Sequence, residues 1–327
     1  MVVSLVSFLI RRTLQGALII LLVSFGIFAV LRMVPGDPAR LILGPMASDT
    51  VVEATAREMG LRDPIPIQYV HWLGAALHGD LGQSYIRARN GSQIAESQGG
   101  VARAEKAHVL DLFGSTLPYT IQLAALALFL AALIAIPLGI ASGMQSGKWP
   151  AKIVLYLGSA FVSIPNFWLA IVLALIVTAK LHLIPSIGYE GFAYTILPAF
   201  VIAIEMSPIF MRGLSTAVAG ARQQGFVSLA DIRGLSRRRI FYGHILRNAA
   251  VPVLNLFGVQ IGALLGGILM VEYIFNYPGI GLLTVQAVLQ RDFPVIQGIA
   301  VLSAMLFVVI NILVDLCSTW IDPRLDF

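Results

Sequence analysis

The sequence places few side chains where they could do covalent chemistry. The histidines, His71, His78, His108, His182 and His244, form neither an HExxH pattern nor a close pair, and Cys317 stands alone. That argues against zinc chemistry and excludes an internal disulfide, so no metal site is expected. No Gly-x-x-x-x-Gly-Lys-Ser/Thr loop is present, so the chain cannot cradle a nucleotide phosphate by itself. Glu205 is the exception among the acidic residues. It sits inside the apolar run "ILPAFVIAIEMSPIFM", where an ionised carboxylate is costly and is therefore a functional candidate. An amine or a metal cation would suit it; a protonated or internally bonded glutamate facing another helix is the competing reading. Ser163, Asn166 and Gln260 could line the same route, although polar residues also serve as contacts between helices.

The elements carrying these residues follow from composition. With 58 % hydrophobic and 12 % charged residues, the 327-residue chain is too apolar for a soluble domain, where charged residues make up about 25 %. Lipid offers the backbone no hydrogen-bond partner, so each crossing needs a helix of about 20 apolar residues. Six such stretches predict an all-α, polytopic integral membrane protein: 14–31, 117–140, 153–179, 196–211, 249–271 and 294–317. The first is longer than the apolar core of a signal peptide and lacks a small-residue cleavage site after it, which predicts a retained span.

Orientation follows from the basic residues. Arg11 and Arg12, Lys148 and Lys152, and the group Arg212, Arg222, Arg233, Arg237, Arg238, Arg239 and Arg247 all flank one side. That side is read as cytoplasmic, with both termini. The net charge of +5 is thereby explained by topology, and nucleic acid is not expected as a partner. The expected organisation is residues 1–35 as a cytoplasmic start and first span, 36–113 as an external cap, and 114–327 as a five-helix core with a cytoplasmic loop at about 213–248. Within the cap, Thr50 and Glu53 fit a capping box and Gly60 a helix stop; Pro64, Pro66 and Gly79 bracket a second helix; "NGSQIAESQGG" at 90–100 reads as a polar insert.

Two features in the core remain open at this level. Gly258, Gly262 and Gly266 lie on one helical face, fit either for packing within the chain or against another subunit. From Gln223 to Arg247 the chain is too polar to span and too long for a tight hairpin, yet carries Phe226, Leu229, Ile232, Ile240 and Phe241. Short surface helices around Gly234 are expected, serving either as a solvated positive loop or as a docking element.

These residues resemble the inner-membrane permease subunits of bacterial ABC importers for dipeptides, oligopeptides, nickel and related solutes. That family carries a cytoplasmic loop written Glu-Ala-Ala, three residues, Gly, nine residues, Ile-x-Leu-Pro, and its peptide branch ends the loop Leu-Arg-Asn-Ala before a proline. Gly234, Leu246-Arg247-Asn248-Ala249 and Pro252 fall at those places. Ser228-Leu229-Ala230 stands in place of Glu-Ala-Ala, and Asp231 where the branch usually has a basic residue. The stretches at 11–39, 60–85, 271–298 ("VEYIFNYPGIGLLTVQAVLQRDFPVIQG") and 315–327 are also similar to family segments.

The resemblance implies a type I ABC importer permease architecture in the bacterial inner membrane, forming half of a translocation pathway. It implies a second homologous permease, two cytoplasmic ATPases that hold ATP and Mg, and an external solute-binding protein. The chain would then be no enzyme and would bind no cofactor. Coupling to the ATPases would fall to Ala230, Gly234, Leu235, Arg237, Arg238, Arg239, His244, Leu246 and Arg247, and contact with the binding protein to Glu272. A self-contained secondary transporter is the alternative; it would need coupling-ion carboxylates or broken helices in symmetry-related halves, which the sequence does not clearly show.

Overall fold

The computed structural model describes residues 2–34, 36–44, 46–88 and 106–321. The polar insert at 90–100 lies outside them. In chain order the elements are α1 (Val2–Met33), α2 (Pro38–Leu43), α3 (Asp49–Glu58), α4 (Ile65–Leu77), β1 (Gln83–Ala88), β2 (Lys106–His108), α5 (Val109–Met144), α6 (Trp149–Val162), α7 (Asn166–Leu173, continued by a π-helical stretch Ala174–Lys180), α8 (Ala193–Arg222), α9 (Gly225–Ile232), α10 (Arg237–Ile240, followed by a π-helical turn Phe241–Ile245), α11 (Leu246–Ile274), α12 (Ile280–Gln290) and α13 (Phe293–Ile321).

Among the described residues, five helices are long and apolar enough to cross a membrane, and the pair α6–α7 makes a sixth if counted as one span. The stretch expected as one crossing, 153–179, is a bent pair whose two helices meet at 91°. Pro165 is the cause, since its ring disfavours helical geometry at the preceding Ile164, and Pro165 itself takes the N-cap position of α7. The other crossings outrun their apolar cores, because helical hydrogen bonding continues into the polar turns at each end.

Two compact units emerge, residues 1–118 with 283–308, and 119–282 with 309–327. In the first, α1 and α4 pack through an aromatic cluster, with Tyr69 edge-on to Phe25 and Phe28 at 5.2 and 5.6 Å and its hydroxyl 2.7 Å from Ser24. The capping box expected from Thr50 and Glu53 does not form. Ser48 occupies the N-cap, its hydroxyl meets Thr50, and Glu53 instead receives Arg57 and Arg62. Gly60 does stop α3, at φ +67°, with the Gly60 and Leu61 amides returning to Arg57 and Ala56. Leu61 then packs on Ala56 and Val52, the apolar contact that accompanies this turn. A short antiparallel pair, β1 with β2, was not anticipated; the buried Asp292 anchors it by accepting from the Ser84 hydroxyl and, at 3.0 Å, the Tyr85 amide.

The second unit is organised around α8, which packs on α6, α7 and α11. On α5, Leu123, Ala127, Ala131 and Ala135 recur every fourth residue and are all buried. Further along, a Cβ on Gly139 or Gly143 would stand 2.9 or 2.7 Å from the Met211 or Ser215 carbonyl of α8. Small residues thus let the two backbones approach where lipid provides no hydrophobic drive to association.

Candidate functional site

The loop at 223–247 is built from two short helices around a tight stop. α9 ends at Ile232 with Arg233 as its C-cap, and Gly234 takes φ +72°, a conformation that costs an L side chain about 1–2 kcal/mol. The Gly234 amide donates to Asp231 at 2.9 Å and the Leu235 amide to Ala230 at 3.1 Å, so the last carbonyls of α9 are satisfied. Ser236 then caps α10 by accepting from the Arg239 amide. Ala230, Ile240 and Ile245 are buried with Leu214, Val218 and Ala221 of α8 and Ala249 of α11, and Leu235 packs on the same cluster. The element is therefore clamped to two membrane helices at once.

Its outer face is different. Arg237, Arg238, Arg239 and Arg247 are exposed, as are Leu229, Ile232 (82 % accessible) and Tyr242. His244 and Leu246 are half-buried; the His244 ring lies 6.2 Å from Phe226, and its carbonyl accepts from the Asn248 side chain at 2.7 Å. Of the apolar residues expected to need a surface, Ile240 finds it inside the chain while Leu229 and Ile232 do not. Tyr242 was missed, because periodicity across a π-helical turn does not follow the α-helical repeat.

The expected pathway residues separate into two groups. The Asn166 side chain, on the first turn of α7, donates to the Glu205 carboxylate of α8 at 3.1 Å. Glu205 and Gln260 line one cleft of about 130 Å³ with Ile202, Met206, Ile209 and Gly267. Ser163 lies elsewhere, closing α6 and donating to the Ser159 carbonyl at 3.1 Å. A second cleft of about 400 Å³ runs along α6, α8 and α11 and shares Ile209 with the first. Arg212 lines it, donating to the Ser159 hydroxyl at 2.5 Å. The glycine face of α11 divides too: Gly258 abuts Val314 of α13, while Gly266 opens onto free space.

Glu272 does not face outward as expected. It is fully buried, accepting from the Thr120 hydroxyl at 2.7 Å and from the Gly281 amide at 2.6 Å. A Cβ on Gly279 would fall 2.0 Å from its Oε1. The segment "EYIFNYPGIG" is thus a turn wrapped around its own carboxylate, and nothing local in the sequence points to Thr120 as the partner.

Outside the spans, charge is handled by pairing. The Arg62 guanidinium, and then that of Arg57, hold the Glu53 carboxyl below its ordinary range, and Arg62 bridges on to Asp37 at 2.8 Å. Burial pushes Asp292 up, opposed by the Ser84 hydrogen bond.

Comparison with known proteins agrees with this geometry. Residues 135–327 match the family described as Binding-protein-dependent transport system inner membrane component, and residues 5–124 match its N-terminal companion. The oligopeptide transport system permease protein AppB of Bacillus subtilis (strain 168) is 32 % identical, over 98 % of this chain and 99 % of its own. The glutathione transport system permease protein GsiC of Escherichia coli O6:H1 is 30 % identical with the same coverage. Among solved structures, inward-facing conformations of the MetNI methionine ABC transporter superpose with a TM-score of 0.56 at 17 % identity, covering 65 % of this chain and 97 % of that one. That likeness shows the fold, an ABC importer permease of type I. The chain is a multi-pass inner-membrane protein and belongs to the family of binding-protein-dependent transport system inner membrane components.

Proposed function

We propose that this permease forms half of the pathway of an ATP-driven importer for short peptides, together with a second homologous permease, two cytoplasmic ATPases and an external solute-binding protein. The cargo class is supported by the relatives, whose names specify oligopeptide, peptide and glutathione transport. The coupling role rests on one observation: the Gly234 element is packed into both α8 and α11 yet presents Leu229, Ile232 and three consecutive arginines to solvent.

A rigid element joined to two membrane helices moves them as a body when its outer face is pushed. Arginines on that face can pair with carboxylates of a partner while the apolar residues bury against it. ATP and Mg are then bound by the partner subunits, this chain hydrolyses nothing and holds no cofactor, and both its termini are cytoplasmic.

Proteoliposomes containing the four-subunit membrane complex test this reading. Uptake of a short peptide should require ATP inside and the binding protein outside, and should vanish when the ATPases are left out. Uptake by this chain alone, driven by an ion gradient, would replace the reading with a secondary transporter.

A further inference from the structure

We propose that Glu205 and Arg212 form a two-point recognition strip for short peptides with free termini, the Glu205 carboxylate receiving the ammonium and the Arg212 guanidinium, with the Ser159 hydroxyl, receiving the carboxylate. This rests on the reading of the chain as a peptide permease and adds which residues read the cargo.

The strip is defined by α8. Seven residues make almost two helical turns, so Glu205 and Arg212 share a face and are separated by about 10 Å along the axis. An extended tripeptide, at about 3.4 Å per residue, has a similar length. Opposite charges at that separation do not neutralise one another. Each is held instead by a neutral group among the described residues, Asn166 for Glu205 and Ser159 for Arg212. Both partners are uncharged side chains and fix the direction of the group they bond.

The surroundings suit a peptide more than a lone ion. The cleft holding Glu205 and Gln260 and the cleft holding Arg212 and Ser159 adjoin at Ile209. Between the charges the walls are apolar, with Pro208, Ile209 and Leu256 along the Arg212 cleft, and they would accept side chains without selecting among them. Selectivity would then lie in the termini, which all short peptides share. A positive residue at the end of a span also suits a topology anchor, and a glutamate bonded to Asn166 also suits helix packing. Those two roles are indifferent to what the peptide carries at its ends.

The test uses the full complex in proteoliposomes, with trialanine, N-acetyl-trialanine and trialanine amide at saturating binding protein. Because every preparation contains the same binding protein, a change in preference between wild type and variant belongs to the permease. The wild type should favour the free peptide over both blocked forms. Arg212→Gln should lower the free-over-amide preference about tenfold, the loss of one charge-assisted hydrogen bond, and Arg212→Lys should restore part of it. Glu205→Gln should lower the free-over-acetyl preference and leave the amide preference in place. Preferences identical in wild type and both Gln variants, or absent in wild type while trialanine is still imported, overturn the strip but not the peptide reading. Failure of the wild-type complex to import any of the three peptides overturns both.

Discussion

The Thr120 hydroxyl donates a 2.7 Å hydrogen bond to the Glu272 carboxylate, joining residues 152 positions apart. The same hydroxyl oxygen accepts from the Ile280 amide at 2.8 Å, and the second carboxylate oxygen accepts from the Gly281 amide. The end of α11 and the start of α12 are thereby fastened to α5 through one buried side chain.

The fastening leaves no room at Gly281, where a Cβ would stand 2.5 Å from the Leu269 Cα and 2.9 Å from the carboxylate. Backbone cannot give way as a side-chain tip can. Gly281→Ala should cost about 1–3 kcal/mol, read as a lowered melting temperature of the purified complex. Gly266→Ala is the control, since its Cβ would meet open space and alanine favours the helix. Equal melting temperatures for the two variants would show that the turn is not packed as described.

The segment built around α3 should loosen in acid. Hydrogen bonds from Arg62 and then Arg57 depress the Glu53 carboxyl below its ordinary 4.5, so the folded state binds the proton less well than the unfolded state does. Their stabilisation is complete above about pH 4.5 and is lost as pH falls through the lowered folded value. Amide exchange in α3 should be flat from neutral pH to about 4.5 once corrected for intrinsic rates, then accelerate. High salt should shrink the effect because the pairs are exposed. Acceleration beginning well above this range would assign it to another group.

Much of this was legible because it is local. Apolar runs locate the crossings, and Gly60 and Gly234 announce their turns by closing a helix directly before a leucine. The Glu272 site was misread for the opposite reason: its partner Thr120 lies in another helix, and a glutamate at the edge of a span looks like an outward contact. The break at Pro165 was written in the sequence but hidden by the apolar residues on both sides. Arg212 was absorbed into the positive flank, since a count of basic residues cannot show that one of them bonds Ser159 inside a cleft.

The proposed topology, which puts residues 36–113 outside, can be checked at Met46, 96 % accessible. In a Cys317→Ala background, Met46→Cys should react with a membrane-impermeant maleimide added outside. Protection there, with labelling from the cytoplasmic side, would invert the chain.

The Glu205 cleft is narrow enough to be filled from Gly267. A Cβ there would make ordinary contacts, 3.4 Å from the Asn166 Nδ2 and 3.5 Å from the Glu205 Oε2, whereas a longer side chain enters a space of only about 130 Å³. Gly267→Leu should therefore reduce peptide uptake far more than Gly267→Ala, with the complex still assembled. Similar uptake by the two variants would place the pathway elsewhere.

The most direct test of coupling is the number of peptides imported per ATP hydrolysed when Gly234 is replaced by valine. A Cβ at this position meets no atom within 4 Å, so the change acts only through the positive φ that a β-branched residue resists. Gly234→Val should insert normally but either release the ATPases or hydrolyse ATP with a sharply lower yield of imported peptide. A variant that keeps its ATPases and the wild-type ratio of uptake to hydrolysis would contradict the account and leave the arginine-rich segment as a topology signal alone.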